Sequence, residues 1–255
     1  MKYLYYTGCS ITSVEQELDL SVKGVLAALS DEIEEYEAPG CFGGHVHAEG
    51  EVDPARGMLL SKIADSCSGV DALVIPCPNC YRSVKQLSSE PEIRIPPVLH
   101  PLEFLVMNVP TDKLRAKRTR NIKGLNVSPF YGCLFRASCG DAEVSEQPRY
   151  MERFFAKLGL ETAWFPEANE CCGGPMYLDS PDALGALSKR IMDSASNWGI
   201  DIISVACAQC YSLLEGYCKS DRIIGEDEAV IMYYSQVAGY LMGFEKGILF
   251  PTPTE

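Results

Sequence analysis

The residues best suited to chemistry in this chain are its cysteines, and their order repeats. Cys9, Cys41, Cys77 and Cys80 are followed by Cys133, the adjacent pair Cys171 and Cys172, then Cys207 and Cys210. Cys41, Cys77 and Cys80 recur 130 residues later as Cys171, Cys207 and Cys210, while Cys9 recurs 124 residues later as Cys133. The surroundings repeat too: "YYTGC" matches "PFYGC", "DALVIPCPNCY" matches "DIISVACAQCY", and "VLHPLEF" resembles "IMYYSQV". Agreement of spacing and context marks an internal duplication, with about six residues added early in the second copy. One position breaks the match, because Phe42 stands where the second copy has Cys172.

A lone C-x-x-C is ambiguous between a redox dithiol and half of a zinc site. Four or five converging sulfurs are more specific, because thiolates in that number hold zinc or an iron–sulfur cluster. Zinc takes four ligands in a tetrahedron, and an adjacent Cys-Cys pair does not easily place both sulfurs on one such ion. The second copy offers five cysteines, a surplus that suits several irons. The first copy offers four, which on count alone fit a 4Fe-4S cubane, a 2Fe-2S cluster or zinc. His45 follows Gly43 and Gly44 and could replace the missing ligand; His47 reads as solvent-facing.

Other residues have plainer readings. Cys67 and Cys218 fall in predicted helices and read as buried thiols. Cys139 lies six residues after Cys133, near enough to touch whatever is bound. His100 is expected to cap or pack at the last helix of the first copy. Tyr3, Tyr5 and Tyr6 read as strand packing. Arg136 reads as a surface cation, with pairing to an anionic substrate as the alternative.

The elements that must position the cysteines alternate between strand and helix. In the first copy, "KYLYY", "EIEEYEA" and "DALVI" read as strands. Residues 13–29, 54–66 and the run from Pro78 read as helices, the first with Leu18, Val22, Val25 and Leu29 on one face. In the second copy the strands are "GLNVSPFY", "ETAWF" and "DIISVA", and the helices are 147–158, 181–198 and "QCYSLLEGYCK". This order predicts an α/β protein of two pseudo-symmetric repeats, each a small parallel-sheet βαβ-type domain. The cysteines would then lie at the C-terminal ends of the strands, where open parallel sheets gather their ligands. The expected domains are 1–108 and 125–255, with 109–124 as the linker inside a proline-rich connection spanning 90–124.

Bulk properties narrow the function. A net charge of −13 opposes nucleic-acid binding, which needs cations for phosphate. The one basic run, "KLRAKRTR", reads as a solvated linker face. No apolar run is long enough for a transmembrane segment, and the first ten residues do not resemble a signal peptide. A cytoplasmic protein with reduced thiols is therefore expected. No G-x-G-x-x-G follows a strand, so electrons should come from partners rather than a bound dinucleotide.

With these motifs in view, the chain resembles the B subunit of heterodisulfide reductase and its relatives, which carry tandem "CCG" cysteine-rich domains. The second half carries the full pattern: Cys133, 37 residues, Cys171-Cys172-Gly173-Gly174, then 34 residues from Cys172 to Cys207-x-x-Cys210. The resemblance implies that Cys133, Cys171, Cys172, Cys207 and Cys210 hold a non-cubane 4Fe-4S cluster, with Cys171 and Cys172 at the catalytic position. It also implies a second iron–sulfur cluster, 4Fe-4S or 2Fe-2S, on Cys9, Cys41, Cys77 and Cys80, with zinc as the alternative there. The implied activity is oxidoreduction of a disulfide, persulfide or carrier-bound thiol, in either direction. The second half would be the chemical site and the first would relay electrons. The implied partners are a ferredoxin-like C subunit, a flavin-bearing A subunit, and a small thiol, disulfide or lipoate-type carrier. The sulfur-oxidising, heterodisulfide reductase-like branch fits the incomplete first half best. The alternative is a non-catalytic iron–sulfur electron-transfer subunit of a dehydrogenase or quinone-linked complex.

Overall fold

The computed structural model describes residues 2–8, 16–30, 33–36, 54–87, 94–138, 149–174, 180–217 and 229–245. Its first half reads β1 (Tyr3–Tyr6), α1 (Gln16–Leu29), β2 (Ile33–Tyr36), α2 (Pro54–Ser66), β3 (Ala72–Val74), α3 (Pro78–Leu87), β4 (Val98–Leu99) and α4 (Pro101–Asn108). After α5 (Thr111–Lys117), the second half runs β5 (Val127–Phe130), α6 (Gly132–Ser138), α7 (Tyr150–Lys157), a 3-10 turn (Pro166–Asn169), α8 (Pro181–Asn197), β6 (Ile202–Val205), α9 (Ala208–Tyr217), β7 (Val230–Tyr233) and α10 (Tyr234–Leu241). The result is an α/β protein with two parallel sheets, ordered β2-β1-β3-β4 and β5-β6-β7.

The central strands are buried on both faces. Every residue of the central strands β1, β3 and β6 is buried, as is the edge strand β5, as expected where helices cover a parallel sheet. The edge strand β2 carries Glu34 and Glu35 and stays partly exposed. Helix α1 buries the stripe of Leu18, Val22, Val25 and Leu29 that its periodicity specifies.

The two halves clasp each other reciprocally. Helix α1 of the first half packs on α10 of the second, with Ser21 Oγ and Ser235 Oγ 2.6 Å apart. In the mirrored contact, α7 packs on α4, and Lys157 Nζ donates to the carbonyls of Val106 (2.5 Å) and Val109 (2.8 Å) at the end of α4. A cation there complements the helix dipole.

Three features differ from the sequence reading. First, β4 and β7 are additional strands, each followed at once by the last helix of its half. Second, "ETAWF" is not a strand; it makes one bond to β5, from Ala163 N–H to Val127 O (2.8 Å). Asn126 O accepts from Ile202, so Val127 and Pro129 turn their backbone groups away from β6, toward residues 161–165. Pro129 has no N–H, and the ladder stops there. Third, the basic run is not simply a solvated face. Arg118 Nη1 donates to Leu158 O (3.0 Å) and Gly159 O (2.5 Å) at the end of α7, and Arg120 Nη1 donates to Phe244 O (3.2 Å) beyond α10. These arginines satisfy carbonyls that the helix ends leave unpaired.

His100 is the N-cap of α4, as its sequence position predicts. Leu102 N–H donates to Nδ1 (3.2 Å), and Glu103 reaches back to accept from the His100 backbone N–H (2.8 Å). That leaves the ring proton on Nε2, which donates to Pro76 O (3.1 Å). Burial pushes the imidazole down to about 3, against the raising influence of the Pro76 bond. The unfolded chain therefore binds a proton near pH 6.5 that the folded chain refuses. The stability from neutral His100 is complete above about pH 6.5 and is lost as pH falls toward 3, at up to about 1.4 kcal/mol per pH unit. Urea midpoints measured between pH 7 and pH 5 should show this slope, and His100→Asn should flatten it.

Candidate metal centre

Five of the described cysteines lie just past the ends of strands. β3 runs through Pro76 into Cys77 at the start of α3, with Cys80 one turn on. β6 runs through Ala206 into Cys207, with Cys210 in α9. Cys133 sits in α6 directly after β5, and Cys171 and Cys172 follow the 3-10 turn. Carboxyl ends of parallel strands are the origin of the first five; Cys171 and Cys172, expected just past a strand at "ETAWF", are delivered by the 3-10 turn instead. Cys9, Cys41, Phe42, His45, His47, Cys139 and Cys218 lie outside the described residues.

In the second half the sulfurs meet in pairs. Cys171 Sγ lies 3.6 Å from Cys133 Sγ, and Cys210 Sγ lies 3.1 Å from Cys172 Sγ. Gly173 N–H points at Cys171 Sγ (3.4 Å). Cys171 also bonds Cys172, and Cys210 also bonds Cys207, so the two pairs join into one group of five sulfurs. Among the described residues no three His, Cys, Asp or Glu side chains stand in ready-made metal geometry, although these five sulfurs adjoin one another.

The glycine before the first cysteine of each copy is part of the cradle. Gly132 has φ +66°, and a Cβ there would stand 2.7 Å from Cys210 Sγ. Gly8 has φ +71°, and its Cβ would stand 3.3 Å from Cys80 Sγ. Only a residue without a side chain permits this backbone conformation and the close sulfur together.

The thiols differ in acidity. The bond from Cys210 lowers Cys172 to about 7, against burial, and the bond from Cys80 lowers Cys77 to about 7 in the same way. Burial raises Cys133 to about 12, helped by the neighbouring Cys171. Cys210 is raised by the bond it gives to Cys172. One readily ionised thiol in each half, Cys77 in its C-x-x-C loop and Cys172 in the Cys171-Cys172 pair, suits that half to a metal, since the thiolate is the ligand form. Cys67 follows α2, buried and off the site, and burial raises it to about 11.

Two supporting residues carry no signal in the sequence. Arg136 is no free surface cation: it donates from Nη1 to Asn169 O (2.6 Å), tying α6 to the turn that delivers Cys171. Tyr131, two residues before Cys133, accepts from Met151 N–H (2.7 Å) and donates to Glu152, anchoring the β5 end on α7. Neither sits at a recognisable interval from its partner, so spacing does not disclose them.

Parallel-sheet halves with thiolates at their strand ends define a duplicated cysteine-rich protein. The chain belongs to the CCG cysteine-rich domain family, which it matches over residues 3–85 and again over 127–215. It is similar to a protein of Archaeoglobus profundus that is itself like the B subunit of heterodisulfide reductase, 23% identical over 96% of this chain and 92% of that one. It is also similar to the 8-methylmenaquinol:fumarate reductase membrane anchor subunit of Wolinella succinogenes, 20% identical over 95% of this chain and 92% of that one. A hypothetical protein of Helicobacter pylori shares the fold, with a TM-score of 0.69 at 13% identity, over 97% of this chain and 50% of that longer one. No helix among the described residues is long and apolar enough to cross a membrane.

Proposed function

We propose that this chain is the iron–sulfur subunit of a heterodisulfide reductase-like redox complex, acting on a disulfide, persulfide or carrier-bound thiol. The observation that carries the reading is the gathering of all five second-half sulfurs: Cys171 meets Cys133 and Cys172, and Cys210 meets Cys172 and Cys207. Five adjoining sulfurs exceed the four ligands that one tetrahedral ion takes. Cys133, Cys171, Cys172, Cys207 and Cys210 would hold a non-cubane 4Fe-4S cluster. Cys9, Cys41, Cys77 and Cys80 would hold the second cluster.

Bound there, such clusters supply one-electron steps beside a sulfur substrate. The chain's own residues supply the setting. Cys172 and Cys77 ionise near neutral pH, Gly173 N–H points at Cys171 Sγ, and Cys172, Cys207 and Cys210 are buried while Cys133 and Cys171 stay partly exposed. Electrons would arrive from, or leave to, ferredoxin-like and flavin-bearing partner subunits. The fumarate reductase relative supports a second reading, in which both centres only relay electrons in a quinone-linked complex.

Anaerobic purification with iron, sulfide and zinc analysis tests the centres. Roughly eight irons per chain are expected from two four-iron clusters; about four irons with one zinc would make the first half structural, and a colourless zinc protein would sink the proposal. Electron paramagnetic resonance with added disulfide or thiol then separates the readings. A new signal marks a catalytic site, and an unresponsive spectrum marks a relay.

A further inference from the structure

The two C-x-x-C loops share a hydrogen-bond donor. Tyr233 ends β7 in the second half, and its hydroxyl lies 3.0 Å from Ala206 O and 3.4 Å from Pro76 O. Ala206 immediately precedes Cys207, and Pro76 immediately precedes Cys77. The hydroxyl is therefore shared between the turn that starts one cysteine loop and the turn that starts the other. The side chain is fully buried, and its backbone N–H is held by Gln236 Oε1 (2.7 Å) in the first turn of α10.

His100 occupies the corresponding place in the first half. It too follows the last strand, precedes the last helix, and is bracketed by an acceptor three residues on, Glu103 for His100 and Gln236 for Tyr233. Each donates to the carbonyl before its own C-x-x-C loop. Tyr233 alone reaches both, and Pro76 O, with two lone pairs, receives both donors. Around this point α3 packs against α6, and the His100 ring meets Phe135 of the second half edge-on at 4.6 Å.

We propose that Tyr233 is a positioning residue for both cysteine centres, its one hydroxyl locking the loop before Cys77 and the loop before Cys207 into a single register across the halves. His100 positions the first-half loop alone. The sulfurs served are those to which the proposed clusters are assigned, so the consequence for redox chemistry rests on that reading; the mechanical coupling does not.

The test uses the full chain and two conservative variants. Tyr233→Phe keeps the ring and removes the hydroxyl; His100→Asn keeps a good N-cap and removes the Nε2 donor. Cys77, Cys80, Cys207 and Cys210 are each no more than 4% exposed, so their alkylation reports opening of the loops. In metal-free, reduced protein, iodoacetamide labelling read by mass spectrometry should rise about fivefold at both pairs in Tyr233→Phe, the effect of one lost hydrogen bond. In His100→Asn it should rise at Cys77 and Cys80 only, with Cys67 unchanged in both variants. In metal-loaded Tyr233→Phe, a chelator should strip both centres about tenfold faster, as for loss of an outer-shell partner. Unchanged labelling at Cys77 and Cys80 in Tyr233→Phe would overturn the proposal, because the hydroxyl would then serve only its own half. A chain that binds no iron would refute the cluster reading and leave the labelling result to decide this one.

Discussion

Cys172→Ser should remove the second-half centre and leave the first-half centre in place. Cys172 lies 3.1 Å from Cys210 and ionises near neutral pH, so serine there deletes the most available thiolate of the set. Total iron should fall by about half if each half holds a comparable cluster. The response to added disulfide or thiol should fall by about 100-fold or more, since even an outer-shell partner is worth roughly 10–100-fold at a metal site. Cys67→Ser is the control: that thiol is buried away from the strand ends, and iron should stay at the wild-type level. Full iron in Cys172→Ser would exclude it as a ligand. Loss of both centres would contradict a division of labour and make the halves one cooperative unit.

The second large effect is expected at Gly132. Alanine there must adopt φ +66° and place a Cβ 2.7 Å from Cys210 Sγ. The left-handed backbone costs about 1–2 kcal/mol and the overpacking about 1–3 kcal/mol, so a loss of about 2–5 kcal/mol in unfolding free energy should result. Gly124→Ala isolates the first contribution, because Gly124 has φ +75° with nothing within 4 Å of its Cβ position. Urea unfolding of both variants yields the packing contribution by difference. Equal losses would mean that Gly132 is needed for its backbone angle alone and that Cys210 does not press on it. A displaced Cys210 should also weaken iron retention in Gly132→Ala and not in Gly124→Ala.

Much of the architecture follows from local pattern. The apolar stripe of α1, the apolar run of β3, the largely apolar run of β6 and the prolines opening α2 and α8 act within a few residues of themselves, and local pattern reads them. The capping role of His100 is legible for the same reason, since the proline after it and Glu103 three residues on are neighbours in sequence. "ETAWF" misleads because its composition suits a strand, while its pairing depends on Pro129, more than thirty residues earlier. β4 is two residues long and leaves too short a pattern to notice.

The inventory of sulfurs, the duplication, most of the alternation of strands and helices, and the placement of Cys77, Cys133 and Cys207 after strands are written in the chain. Those properties depend on residue type, on spacing, and on chain directions that parallel pairing enforces. Three others come from the packed molecule: the five second-half sulfurs adjoin one another, α1 clasps α10 while α7 clasps α4, and one tyrosine hydroxyl serves both cysteine loops. These depend on how separately formed layers pack. A hydrogen bond such as Tyr233 to Pro76, 157 residues apart, is fixed by that packing and leaves no interval in the chain to read.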